Sequence, residues 1–264
     1  MATTSPKVGI LGCMGRMGQA LTDAVREEGS LTLVAGSEVS VHPLVGGVIP
    51  GTDVMITDSA ASVFEAADVV LDFTPPGNTA DHAALAAETG TALIVGTTGL
   101  TDEDHAALDA AGGSAVIVQA GNYSLGVNLL VALVKDAAAK LDTGFDIEIV
   151  ETHHKHKIDA PSGTAIMLGE AAAEGRGVAL ETVRTPAREG LTGERIPGSI
   201  GFSAVRGGGV IGDHDVMFMS GSERLTLSHR AENRRLFADG AVKAAVWAVA
   251  QKPGRYSMKD VLGL

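Results

Sequence analysis

Residues 151–164 read Glu-Thr-His-His-Lys-His-Lys-Ile-Asp-Ala-Pro-Ser-Gly-Thr. Three of the chain's eight histidines and two lysines fall in the five positions 153–157. Histidine is the side chain best placed to exchange a proton near neutral pH. Lysine supplies a fixed cation for a carboxylate or a developing negative charge. Ser162, Gly163 and Thr164 add hydroxyls and backbone N–H groups at a predicted helix start, which is an anion cradle. Two other readings compete. His153 and His154 have the chemistry of zinc ligands, but nothing nearby gives a firm ligand spacing and the single cysteine, Cys13, is distant in sequence. A run of Lys and His also serves as a plain solvated turn. The strand-end position, the following helix cap and a nucleotide-type domain upstream weigh toward chemistry.

The second candidate is Gly12-Cys13-Met14-Gly15-Arg16-Met17-Gly18, directly after a short apolar run and at the start of a helical pattern. Glycine lets a chain turn sharply and lets backbone approach a pyrophosphate, while the helix N-terminus offers free N–H groups. Glu38 stands 20 residues beyond Gly18, where an acid can hold ribose hydroxyls. The spacing is GxxGxxG rather than GxGxxG, so a tight strand-to-helix turn alone is the competing account. Val39 follows the acid, which leaves no basic neighbour for a 2′-phosphate, although Arg16 has the reach. These residues favour NADH, or dual use, over strict NADPH.

The elements that must position these groups differ between the two halves. Val8–Leu11, Leu31–Ala35, Val69–Phe73, Ala92–Val95 and Ala115–Val118 read as short buried strands. Helical stretches separate them at Arg16–Glu28 and near 78–89 and 102–111. Buried strands alternating with helices predict an α/β fold with a doubly wound parallel sheet. Beyond this, Leu125–Leu141 reads as a long helix, Asp146–Glu151 as a half-exposed strand, and 164–173 as a helix. Ser199–Val205, Asp215–Met219 and Arg224–His229 are close-set strands, which predict a mixed or antiparallel sheet. Arg235–Ala250 returns to helix. Residues 184–198, rich in Gly, Pro and charge, read as a surface loop.

Composition narrows the function classes. The 264 residues carry 20 Lys+Arg against 32 Asp+Glu, a formal charge of -12. Such an acid excess argues against a main role in gripping nucleic acid or an anionic membrane. One cysteine excludes a disulfide framework within the chain and suits a reducing cytoplasm. No stretch approaches the roughly 18 uncharged apolar residues of a membrane span, and the N-terminus lacks the pattern of a secretion signal. With aromatics at 3%, the core must be built from Ala, Val, Leu and Ile.

Taken together, Gly12–Gly18, Gly96-Thr97-Thr98-Gly99, Gly121-Asn122-Tyr123-Ser124 with Gly126-Val127-Asn128, and the stretch from Glu151 to Thr164 resemble the 4-hydroxy-tetrahydrodipicolinate (dihydrodipicolinate) reductase family. The likeness covers essentially the whole chain, and its most specific part is the His-His-x-His-Lys-x-Asp-Ala-Pro-Ser-Gly-Thr motif. It implies an N-terminal Rossmann domain, residues 1–124 and 234–264, to which the last helix returns. It also implies an α+β substrate domain, 125–233, whose mixed sheet assembles four copies. The implied reaction uses NADH or NADPH and no metal. It reduces a small dicarboxylate in cytoplasmic lysine and diaminopimelate synthesis. By the same likeness, His153 is the proton donor/acceptor, Lys157 the proton donor, and His154 a substrate contact. Ser162, Gly163 and Thr164 hold a carboxylate. Cofactor contacts are implied for Gly12, Cys13, Met14, Gly15, Arg16, Met17, Glu38, Gly96, Thr97, Thr98, Ala120, Gly121, Asn122 and Tyr123. Hinges near 121–128 and 230–235 are expected. Many family members carry Arg after the ribose acid, where this chain has Val39, and Pro75-Pro76 follows Asp72-Phe73-Thr74 where a basic residue is sometimes found. A different dehydrogenase of amino acids or semialdehydes, and a redox sensor that binds NAD(H) without turnover, are the alternatives. The histidine–lysine motif argues against the first, and the lack of a DNA-reading helix or basic tail against the second.

Overall fold

The computed structural model describes residues 5–185 and 187–264. In chain order the elements begin with β1 (Lys7–Leu11), α1 (Arg16–Glu28), β2 (Thr32–Ser37), β3 (Ile56–Thr57), α2 (Ala60–Ala66) and β4 (Val69–Asp72). There follow α3 (Thr79–Thr89), β5 (Ala92–Val95), α4 (Asp102–Ala111) and β6 (Val116–Gln119). Next come α5 (Leu125–Lys140), β7 (Asp146–His153), α6 (Gly163–Gly175), α7 (Leu180–Val183), β8 (Arg184–Thr185), β9 (Ile200–Arg206), β10 (Asp213–Met219) and β11 (Arg224–Arg230). The chain closes with α8 (Leu236–Ala248), β12 (Gly254–Tyr256) and α9 (Met258–Leu262).

Two compact units result. One holds residues up to Ser124 together with Arg235–Leu264, and the other holds Leu125–Arg234. The expected break before residue 234 thus falls one residue later. Arg235 caps the start of α8 and forks onto Glu27 of α1 at 2.9 and 2.6 Å, which ties it to the first unit.

The first unit is a seven-stranded sheet in the order β12-β6-β5-β4-β1-β2-β3, and every pairing is parallel. All four residues of β4 and of β5 are buried, which is why these strands read as unbroken apolar runs. Chain order reverses between β1 and β4, so a crevice opens at their C-terminal ends. β3, α2 and β12 escaped the sequence reading. They span 2, 7 and 3 residues, too few to establish a period.

The second unit is a five-stranded sheet in the order β11-β10-β7-β9-β8. β7 pairs antiparallel with β10 and parallel with β9, so the sheet is mixed. Ile147, Ile149, Val216, Phe218 and Phe202 pack against Val127, Val131, Val134, Leu168 and Ala172 of α5 and α6. The loop expected over 184–198 begins with β8. Its later part is pinned to the sheet, because Arg188 forks onto Glu148 and Arg195 reaches both Glu148 and Asp146.

Candidate active site

In the first unit every candidate cofactor residue lies just past the C-terminal end of a parallel strand. Gly12–Met17 follow β1, Glu38 follows β2, Gly96–Thr98 follow β5, and Ala120–Tyr123 follow β6. Gly12 has φ +66°, a left-handed conformation that favours glycine. Glu38 turns back on the loop, where Oε1 accepts the Met14 N–H at 2.7 Å. Thr97 donates its hydroxyl to the Thr74 carbonyl at 3.0 Å. Gly12, Ser37, Glu38, Val39, Thr74, Asp81 and His82 line part of a cleft of about 560 Å³. The switch-point crevice, the open helix start and this cleft fit a dinucleotide.

Two candidates act here from below. Cys13 is fully buried, and burial, reinforced by Glu38, pushes its thiol up to about 11. Tyr123 is buried, and its hydroxyl is shared between the carbonyls of Val95 and Val118 at 3.0 and 2.8 Å. Only the main chain of either is available to a ligand. The sequence reading gave no role to the buried pair beneath the cleft, Asp72 and His82, at 2.7 Å. Asp72 also accepts the N–H and hydroxyl of Thr74 and so fixes that turn.

The second unit gathers the histidine–lysine group. Alternation along β7 puts Ile147, Ile149, Glu151 and His153 on one buried face. That face is apolar at its start and polar at its end. His153 Nδ1 lies 2.6 Å from Glu151 Oε2. Arg206, paired with His153 in the β7–β9 register, forks onto both Glu151 oxygens at 2.6 and 2.7 Å. The other Glu151 oxygen accepts the Ser162 N–H at 3.1 Å. Burial raises the Glu151 carboxyl, but the hydrogen bonds from Arg206 and His153 outweigh it and hold it below the usual range. Lys157 Nζ donates to both oxygens of Asp159 at 2.8 and 2.9 Å.

Ser162 caps α6 by accepting the Ala165 N–H at 3.1 Å, and its hydroxyl meets His214 Nε2 at 3.0 Å. Its N–H and hydroxyl are thus spent on building the cradle. Gly163 is exposed, with open space beside its Cα, at the first position of a 13-residue helix. His154 is half-buried, and desolvation with nearby Arg234 lowers its pKa. Glu151, Arg206 and His214 received no role from sequence. Glu151 stood inside the motif, whereas Arg206 and His214 reach it only through strand pairing and carried no local signal. Among the described residues, no three His, Cys, Asp or Glu side chains gather as metal ligands.

His214 is 3% exposed. Burial, then the neighbouring His153, pushes its pKa down to about 4. A histidine whose folded pKa is depressed contributes stability above its unfolded value, near 6.5, and loses it as pH falls toward 4. Over that window its share is about 3 kcal/mol at most. Urea unfolding at pH 7 and pH 4.5 is expected to show a steeper loss for the native chain than for His214→Gln. Parallel losses would mean that another group sets the slope.

A parallel sheet with a glycine loop at its switch point, in a chain whose other unit gathers acid–base residues at a helix start, defines a nicotinamide-dependent oxidoreductase. Comparison with known proteins makes this narrower. The N-terminal domain profile of dihydrodipicolinate reductase matches residues 6–123, and the C-terminal profile matches 126–262. The 4-hydroxy-tetrahydrodipicolinate reductase of Ruegeria sp. (strain TM1040) is 50% identical over 268 residues, covering 99% of this chain and 100% of that protein. That of Bradyrhizobium diazoefficiens is 51% identical over 261 residues, covering 97% and 96%. A dipicolinate-bound dihydrodipicolinate reductase from Paenisporosarcina sp. TG-14 superposes with a TM-score of 0.79 at 26% identity, over 96% of this chain and 98% of that one. The chain belongs to the dihydrodipicolinate reductase family. Its reaction is the NAD(P)H-dependent reduction of 4-hydroxy-tetrahydrodipicolinate in lysine and diaminopimelate biosynthesis.

Proposed function

We propose that this reductase favours NADH and divides its chemistry between His153 and Lys157. The observation that carries the cofactor reading is the charge of the cleft. Glu38, Asp58 and Asp81 line it, and no Lys or Arg stands among the described residues that line it. A 2′-phosphate adds about 1.5 to 2 negative charges, which these carboxylates would repel. A ribose 2′-hydroxyl instead has Glu38 as an acceptor.

When bound, the nicotinamide supplies hydride to a conjugated imine, and the substrate loses water. The chain's own groups manage the proton. His153 gives and takes it at Nε2, since Nδ1 faces Glu151. Lys157, released from Asp159 by a substrate carboxylate, is the proton donor. His154 contacts the substrate. Backbone at Gly163 and Thr164, on the cradle that Ser162 shapes, holds one carboxylate. The Paenisporosarcina relative binds dipicolinate, which supports a dicarboxylate as the ligand of this chain.

We also place the protein in the cytoplasm as a homotetramer that binds neither nucleic acid nor membrane. No described helix is long and apolar enough to cross a bilayer. Val205, exposed, with part-exposed Val150, Met217 and Met219, sets apolar positions among Asp146, Glu148, Asp213 and Asp215 on the outward face of the mixed sheet, a mixed surface that suits assembly.

Steady-state kinetics with fresh substrate test the cofactor reading. NADH is expected to give the higher kcat/KM. Val39→Arg, at an exposed position beside Glu38, should move the ratio toward NADPH by about tenfold. A native preference for NADPH would sink the reading. A ratio unchanged in the variant would show that position 39 does not decide it.

A further inference from the structure

Glu151 is 1% exposed, yet it carries four hydrogen bonds. Its Oε2 accepts from His153 Nδ1 and from Arg206, and its Oε1 accepts from Arg206 and from the Ser162 backbone. A carboxylate held in an Arg fork only accepts. The proton on His153 must therefore sit on Nδ1, and a neutral His153 keeps its lone pair on Nε2. Space is left at that nitrogen by Gly212, where an added Cβ would come within 3.0 Å of Nε2. The other oxygen of the same carboxylate anchors the first residue of the 162–164 cradle. One buried group thus touches both the proton-transfer histidine and the seat of the substrate carboxylate.

We propose that Glu151, clamped by Arg206, is a positioning residue that sets the tautomer of His153 and holds its ring in register with the helix start at Ser162. This rests on His153 being the proton-transfer residue. Among the described residues, the charged and titratable groups that face the ring are Glu151 on β7, Arg206 on β9, His214 on β10 and His154 just after β7, with Lys157 acting on His154 and His214. Among these only Glu151 contacts Nδ1. Outer partners that orient a working imidazole matter to activity although they never touch substrate.

Glu151→Gln is nearly isosteric, but its amide can face Nδ1 as a donor. The ring would then turn its proton to Nε2. The variant is expected to lose about 10²-fold in kcat, while its Kd for NADH, read by fluorescence, stays within about twofold of the native value. Ring ¹⁵N spectra should show Nδ1–H for His153 in the native enzyme and Nε2–H in the variant. Because Glu151 acts through His153, adding Glu151→Gln to His153→Ala should change turnover by less than about threefold. A full further loss in that background, or a native ring protonated on Nε2, would overturn the proposal. Should Glu151→Gln fail to fold, the native spectrum alone decides, with Glu151→Asp expected to keep the Nδ1–H tautomer and part of the rate. If His153→Ala itself turns over at the native rate, the reading of His153 fails, and that result is separate from the tautomer.

Discussion

His153→Ala is expected to lower kcat by about 10²–10⁴-fold and to leave the Kd for NADH within about twofold. The residue is buried at the end of β7, with one ring nitrogen on a carboxylate that Arg206 neutralises. Its other nitrogen is the only one left to exchange a proton. The cofactor cleft is built wholly from the first unit, so removing the imidazole takes nothing from it. The truncation also spares the Arg206 fork, which keeps the buried Glu151 paired and limits the structural loss. Stopped-flow NADH oxidation with fresh condensation product, set beside NADH titration, separates the two effects. A variant that binds NADH weakly yet turns over at the native rate would place His153 outside the chemistry.

Much of the first unit was legible because its physics is local. β4 and β5 are buried on both faces and announce themselves as apolar runs. α1 begins at Arg16 and ends at Glu28, as the spacing of Leu21, Ala24 and Val25 and the closing Gly29 require. The candidates on the histidine–lysine loop were visible for the same reason: they are close in sequence. What stayed hidden is what pairing brings together. His214 lies opposite Glu151 on β10, and Arg206 opposite His153 on β9. Nothing in either segment distinguishes these residues from ordinary strand positions until the register is known. The Asp72–His82 pair is hidden likewise, since it joins a strand end to a helix ten residues on. Conversely, Cys13 and Tyr123 lay within cofactor-type stretches, and only burial shows that their side chains serve the core.

The glycine loop carries the other large expected effect, and its glycines do different work. A Cβ on Gly18 would sit 2.1 Å from the Gly12 carbonyl oxygen and 2.6 Å from Cys13 Cα. Both are backbone atoms, so α1 would have to back away from the loop. Gly18→Ala is therefore expected to destabilise the NADH-free protein by about 1–3 kcal/mol and to weaken NADH binding at least tenfold. Helix propensity works in the opposite direction, since alanine inside a helix is worth about 1 kcal/mol over glycine. A net loss would thus report the clash itself. Gly15 is exposed, and a Cβ there would meet the Gly12 carbonyl oxygen at 3.3 Å, a tight contact but far short of the overlap at Gly18. Gly15→Ala should leave the unfolding midpoint near native and still weaken NADH, because its methyl group would stand where a pyrophosphate must approach. Urea unfolding without cofactor, followed by NADH titration, reads the two contributions apart. A native midpoint for Gly18→Ala would mean that close packing of helix on loop is not what the third glycine provides. Native NADH affinity in Gly15→Ala would mean that the pyrophosphate does not lie against the second.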